Sequence, residues 1–158
     1  MIRLVSYISI GILFMLSGCS EPPYFEEMKT LEGSEWRANE PVAFSFEVQD
    51  TEQPYDLLLN LRHTEAYPFS NLYLFMTLKF PNGKESTDTL ECRLADERGM
   101  WLGRTPGDIV DHRILLNNRA IFPLEGEYEV AITQAMRVDP LPEVLDVGFA
   151  LEEWSPEN

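Results

Sequence analysis

The sequence predicts an all-β protein: a single antiparallel β-sandwich of about seven or eight strands, preceded by a signal peptide and a flexible tether. Three observations support that expectation. Apolar and polar side chains alternate in segment after segment from Val42 to Leu151, which is the period of a half-buried strand. Clusters of Pro, Gly, Asn and Asp separate the segments, at intervals of about 8–15 residues. Past residue 18, no stretch of about 12 residues keeps a 3.6-residue period, so no long helix is expected, and no internal repeat is visible.

The chain opens with Arg3, an apolar run from Leu4 to Leu16 broken by Ser6, Ser9 and Gly11, and then Leu16-Ser17-Gly18-Cys19. One positive charge, an apolar segment and small residues before a cut site make a secretory signal. The run is too short to span a bilayer, which needs about 20 apolar residues. Leu-Ser-Gly-Cys is a lipobox pattern. Its small residues enter a peptidase groove extended, and the thiol carries a thioether-linked diacylglyceryl group. Cys19 is therefore expected to become the acylated first residue, anchored stably by two or more acyl chains. The predicted divisions are a signal peptide (1–18), a lipidated N terminus and tether (19–39), the sandwich (40–153) and a frayed tail (154–158).

The tether begins with Glu21-Pro22-Pro23, whose prolines lack backbone donors, and continues aperiodic and acidic to Trp36, where it is expected to dock. Val42, Phe44, Phe46 and Val48 then share one face of a strand. A second strand covers residues 55–63, with Leu57, Leu59 and Leu61 in phase. Residues 71–80 form the strongest strand, with Leu72, Leu74, Met76, Leu78 and Phe80 on one face. Tyr73 and Phe75 on the other face suggest a central strand covered on both sides. Pro81-Asn82-Gly83-Lys84 is a hairpin turn. It leads into residues 85–94, with Leu90, Cys92 and Leu94 in phase. Residues 96–107 read as loop, 109–116 as strand, Asn117-Asn118 as a turn, and 119–122 as a short strand before Pro123. Tyr128, Val130 and Ile132 mark a further strand, and Val147, Phe149 and Leu151 close the sheet.

Removal of residues 1–18 leaves 140 of 158 residues, enough for one domain with its own core. The loss of Arg3 leaves 11 basic against 27 acidic residues, a formal net charge of −16. Such a chain does not favour nucleic acid or anionic head groups. With Cys19 acylated, Cys92 has no partner and is expected to be a buried free thiol. His63 and His112 sit in no metal-ligand spacing, and Asp108 and Asp111 near Gly107 lack the spacing of a calcium loop. No nucleophile elbow, phosphate loop or dinucleotide fingerprint is present, so neither enzyme activity, nor a metal, nor a cofactor is expected.

An ordered set of short motifs runs through the mature chain: Asn71-Leu72-Tyr73, Pro81-Asn82-Gly83, Asp88-Thr89, Gly99-Met100-Trp101-Leu102-Gly103, Phe122-Pro123, Gly126-Glu127-Tyr128, Gln134-Ala135-Met136-Arg137 and Asp146-Val147-Gly148. Together with the lipobox, this set resembles the GldH-type gliding-motility lipoprotein family of Bacteroidetes. The resemblance implies an envelope lipoprotein supporting the secretion-linked machinery that moves surface adhesins. It brings no catalytic residues.

The expected role is that of a non-enzymatic scaffold or assembly component, held by acyl chains at the outer membrane, facing the periplasm and binding other envelope proteins. The candidate partner surface is Trp101, Leu102 and Arg104 with Met136 and Arg137, because Trp and Arg are enriched at binding hot spots. Trp101 also fits a plug at the end of the sandwich, and Arg137 an internal pair with Asp139 or Asp146. An exposed strand edge is the other candidate docking element. The alternative function is glycan binding, which calls for two or three coplanar aromatics on one exposed face; Tyr73 and Phe75 are the candidates, although the second sheet is expected to cover them.

Overall fold

The computed structural model describes residues 22–156. The signal peptide, Cys19 and the last two residues of the tail lie outside the described residues. The strands are β1 (Phe25–Thr30), β2 (Glu35–Trp36), β3 (Val42–Val48), β4 (Pro54–Thr64), β5 (Asn71–Lys79), β6 (Glu85–Arg93), β7 (Ile109–Ile121), β8 (Gly126–Gln134), β9 (Leu141–Pro142) and β10 (Val144–Glu153). They form two four-stranded sheets, β1-β10-β4-β7 and β3-β8-β5-β6, and the small pair β2-β9. Every strand pairing is antiparallel. The chain is an all-β sandwich.

Period two builds the core. Val42, Phe44, Phe46 and Val48 of β3 point inward with Tyr128, Val130 and Ile132 of β8 and Leu72, Leu74 and Met76 of β5. They meet Leu57, Leu59 and Leu61 of β4 and Val147, Phe149 and Leu151 of β10. Phe46 stacks on Tyr128 at 5.9 Å within one sheet, and Phe44 and Phe46 stack on Phe149 of the other at 6.1 and 5.9 Å, which joins the two layers. Each such ring burial removes roughly 150–250 Å² from water.

Four expectations are corrected. The tether does not extend to residue 39: Phe25–Thr30 pairs with β10 from Phe25↔Leu151 to Thr30↔Asp146. This edge strand has only Phe25 as an inward apolar anchor, against Phe46 and Phe149, so its alternation is faint. The β5 strand is not covered on both sides. Tyr73 is 38% exposed and Phe75 44%, because only one layer packs on its sheet. On the other sheet the outer face is closed by its own side chains, and Leu58 and Asn60 of β4 and Ala150 of β10 are buried there. Asn117-Asn118 is not a turn: β7 runs through it, its register against β4 slipping twice, between Tyr55 and Leu57 and between Leu57 and Leu58. Arg119, at φ 56°, occupies the irregular stretch, and its N–H donates to Asp56 Oδ1 at 2.9 Å. Finally, the tail holds on as far as Trp154, whose N–H donates to Pro54 O at 2.9 Å and whose ring lies under Arg119.

On the outer face of the first sheet, Gly148 makes room. A Cβ there would stand 2.9 Å from Glu27 O and 3.2 Å from Asn60 Cβ. Arg113 of β7 reaches across it to Glu26 of β1 at 2.7 Å and to Asn60 Oδ1 at 2.9 Å, and also pairs with Glu152.

The connections fix two poles. Phe25 lies opposite Leu151, and the Tyr24 hydroxyl donates to Glu47 O at 2.8 Å, so the chain enters beside loops 49–53, 80–84 and 122–125. Loops 37–41, 65–70, 94–108 and 135–140 gather at the opposite, distal pole.

Candidate interaction surface at the distal pole

The distal pole is built around a buried pair of histidines. His63 Nδ1 lies 2.7 Å from Thr64 O, which can only accept, so this nitrogen carries the proton. In the neutral ring His63 Nε2 is then bare, and it accepts from His112 Nε2–H at 3.0 Å. Burial lowers both rings' proton affinity. His112 falls to about 4, first from burial and then from the neighbouring His63, with Asp111 opposing. Trp101 meets His63 edge-on at 4.6 Å, and Tyr67 lies 4.9 Å from the same ring.

The loop carrying Trp101 is pinned at both ends. Leu102 N–H donates to Leu94 O at 2.8 Å, and Arg104 and Asp111 exchange backbone hydrogen bonds of 2.9 and 2.7 Å. Gly103 passes so close to β7 that a Cβ would sit 2.6 Å from Asp111 O and 2.9 Å from His112 Nδ1. The glycine after Trp-Leu is therefore required by backbone approach.

The predicted residues divide by role. Trp101 is half-buried in the His63–Tyr67 cluster, as the plug reading expects. Leu102 is 58% exposed. Arg104 projects into solvent with its guanidinium 3.2 Å from Asp111 Oδ2. The Met136 sulfur accepts from Tyr73 N–H at 3.3 Å, and its own N–H donates to Gln134 Oε1 at 2.8 Å. Gln134 is buried and also donates to Val138 O at 3.2 Å, which shapes the loop after β8. The expected internal pairing of Arg137 is absent. Asp139 accepts from Ala38 N–H, and Asp146 from Thr30 while pairing with Arg62, so Arg137 is left exposed with no ion pair among the described residues. No hydrogen bond or ion pair joins the 101–104 segment to Met136 and Arg137, although both lie at this pole.

Sequence reading missed Met100, 66% exposed, and Val138 and Ile109, which are also exposed here. Their apolar character was visible, but Met100 and Val138 stand in loops, which give no period from which to tell inside from outside, and Ile109 opens β7 at its exposed end. Among the described residues no three His, Cys, Asp or Glu side chains converge as metal ligands. Cys92 is buried and free, its thiol pushed up to about 11 by burial. No helix of the described residues is long and apolar enough to cross a membrane.

A family model described as GldH lipoprotein matches residues 23–151, from two residues before the edge strand to Leu151 of β10. The chain belongs to the GldH lipoprotein family. Its GldH relatives include the gliding motility lipoprotein GldH homolog of Christiangramia forsetii, 34% identical, with 93% of this chain and 94% of that one covered. The gliding motility lipoprotein GldH of Flavobacterium johnsoniae is also 34% identical, over 90% of this chain and 95% of its own. Among solved structures, the chain is similar to part of a family GH115 4-O-methyl-α-glucuronidase at TM-score 0.43 and 11% identity, covering 87% of this chain and 18% of that one. It is also similar to the VP2 subviral particle of infectious bursal disease virus at TM-score 0.33 and 10% identity, covering 93% of this chain and 37% of that one.

Proposed function

We propose that this GldH-family chain is an envelope lipoprotein that acts without catalysis, as a scaffold or assembly component of a gliding-motility, secretion-linked machinery. Acyl chains on Cys19 hold it at the outer membrane, facing the periplasm. The observation that carries the reading is polarity. The chain enters at one pole of the sandwich, while Met100, Leu102 and Val138 stand exposed, with Arg104 and Arg137, at the other. Because β1 starts at Phe25, only residues 20–24 separate the acylated cysteine from the sheet. Five residues span at most about 18 Å, so the domain stays close to the bilayer. Its near end carries Glu47, Asp50, Glu52, Glu125, Glu152 and Glu153, which disfavours lying down on anionic head groups. The distal pole is therefore the surface presented to a protein partner.

The test is crosslinked capture from cells with Leu102→Asp combined with Arg137→Glu. Both positions are exposed, so the fold is retained. Recovery of the wild-type partner drops tenfold or more if this pole binds it, and unchanged recovery rejects the pole as the interface.

A further inference from the structure

We propose that the outer face of the β3-β8-β5-β6 sheet is a binding site for an extended, uncharged polysaccharide chain. This site lies on the side of the sandwich; only its upper end, at Ser70, Asp96 and Glu97, adjoins the distal pole.

Two side-chain rows run in register along it. Asn71, Tyr73, Phe75 and Thr77 of β5 lie opposite Arg93, Glu91, Thr89 and Thr87 of β6. On the other flank, Thr133 lies opposite Phe75, Ala131 opposite Thr77, and Ala43 opposite Ala131. The side chains on this flank are small, and beside them the Tyr73 and Phe75 rings are 38% and 44% exposed. The two rings sit on one strand face about 7 Å apart, two residues of strand rise. At the head of the row a polar cleft opens, lined by Ser70, Asn71, Glu91, Arg93, Asp96 and Glu97.

A pyranose ring offers a face of C–H groups and a rim of hydroxyls. The electron-rich face of an aromatic ring attracts the C–H groups, and two rings in line take successive sugars of an extended chain. Planar amide, carboxylate and guanidinium groups then bind neighbouring hydroxyls in pairs. Asn71, Glu91 and Arg93 are these groups, with Asn71 Nδ2 donating to Glu91 Oε1 at 2.8 Å. The opposite outer face is occupied differently: Arg113, Glu26, Asn60 and Glu152 lock it, and its central residues are buried. No ion pair among the described residues lies on the Tyr73 face.

Charge excludes one class of occupant. Glu91, Asp96 and Glu97 outnumber Arg93 around the cleft, and Glu47, Glu85, Glu127 and Glu129 outnumber Lys79 farther along the sheet. An anionic glycan is repelled, and so is a second copy presenting the same face. An uncharged chain meets no such barrier.

The test passes the full acylated chain, in detergent, over immobilised β-glucan, xylan, galactomannan and alginate. The expected result is saturable retention on at least one uncharged polymer and none on alginate. Tyr73→Ala combined with Phe75→Ala weakens that retention tenfold or more, while the melting temperature moves by only a few degrees because both rings are exposed. Phe75→Trp, with a larger stacking face, keeps or tightens it. Absence of retention on all three uncharged polymers overturns the proposal. So does retention unchanged in the double variant, or equal retention on alginate. Crosslinking of a protein to this face that the double variant abolishes, without glycan retention, assigns the face to that protein instead.

Discussion

Trp101 stands edge-on to His63 and beside Tyr67, so replacing it acts on folding before it acts on recognition. Trp101→Ala is expected to cost about 3 kcal/mol in urea unfolding, whereas Leu102→Asp costs less than about 0.5 kcal/mol. A comparable cost for both would contradict the division of the loop into pillar and contact. The histidine pair sets a pH dependence. His112 has a folded value of about 4, below the ordinary 6.5, so between those values the unfolded chain binds a proton that the folded one rejects. The contribution of His112 to stability is in place above pH 6.5 and is lost as pH falls toward 4, by roughly 3 kcal/mol. His112→Asn is less stable at pH 7 but has a flatter slope through this window; an unchanged slope would show that other groups govern acid sensitivity. Cys92 should resist a thiol reagent at pH 8 until the chain is denatured, since burial holds its thiol near 11. The buried thiol was legible from its strand phase with Leu90 and Leu94. The histidine pair was not: its members are 49 residues apart and meet only through the β4–β7 register.

At the scale of elements, β1 fastens the entering chain to the domain, and Gly148 allows it to dock. Gly148→Val would push Glu27 and Met28 off β10 and is expected to cost about 2–3 kcal/mol, with amide exchange rising first in residues 25–30. Unfolding at the wild-type midpoint would contradict the close approach. The boundaries of β3, β5 and β8 were readable because each puts a run of alternating apolar residues into the core; β6 buries only Cys92 and half-buries Leu90, and its start was announced by the Asn82-Gly83 turn. The β1 strand escaped notice because Glu27 and Lys29 share the inward phase with Phe25 at an open edge, where the charges reach solvent. The full length of β7 was hidden by Asn117-Asn118, which reads as a turn but is absorbed by a shift in register. Exposure of Tyr73 and Phe75 was also beyond local pattern. Aromatics on both phases of a strand look alike whether a second layer covers them or a ligand does.

For the whole molecule, the pole where the chain enters and the pole where apolar loops are exposed lie about 30 Å apart, the length of a nine-residue strand. On the proposed reading, cleavage leaves a formal charge of −16, which disfavours an anionic bilayer, so membrane residence is expected to rest on acylation of Cys19. The proposed partner surface was only half legible in the sequence, since a loop states its composition but not which of its side chains the core claims. Trp101 was claimed by the core, while Leu102 and Arg137 were left outside. The central claim is an acyl-anchored scaffold, and its most direct measurement is affinity purification of the tagged chain from crosslinked native cells beside a Cys19→Ala control. The expected result is recovery of gliding or secretion machinery components with the wild-type chain and their loss with the control. Recovery of nothing specific from a folded, acylated chain, or equal recovery with the control, would contradict it.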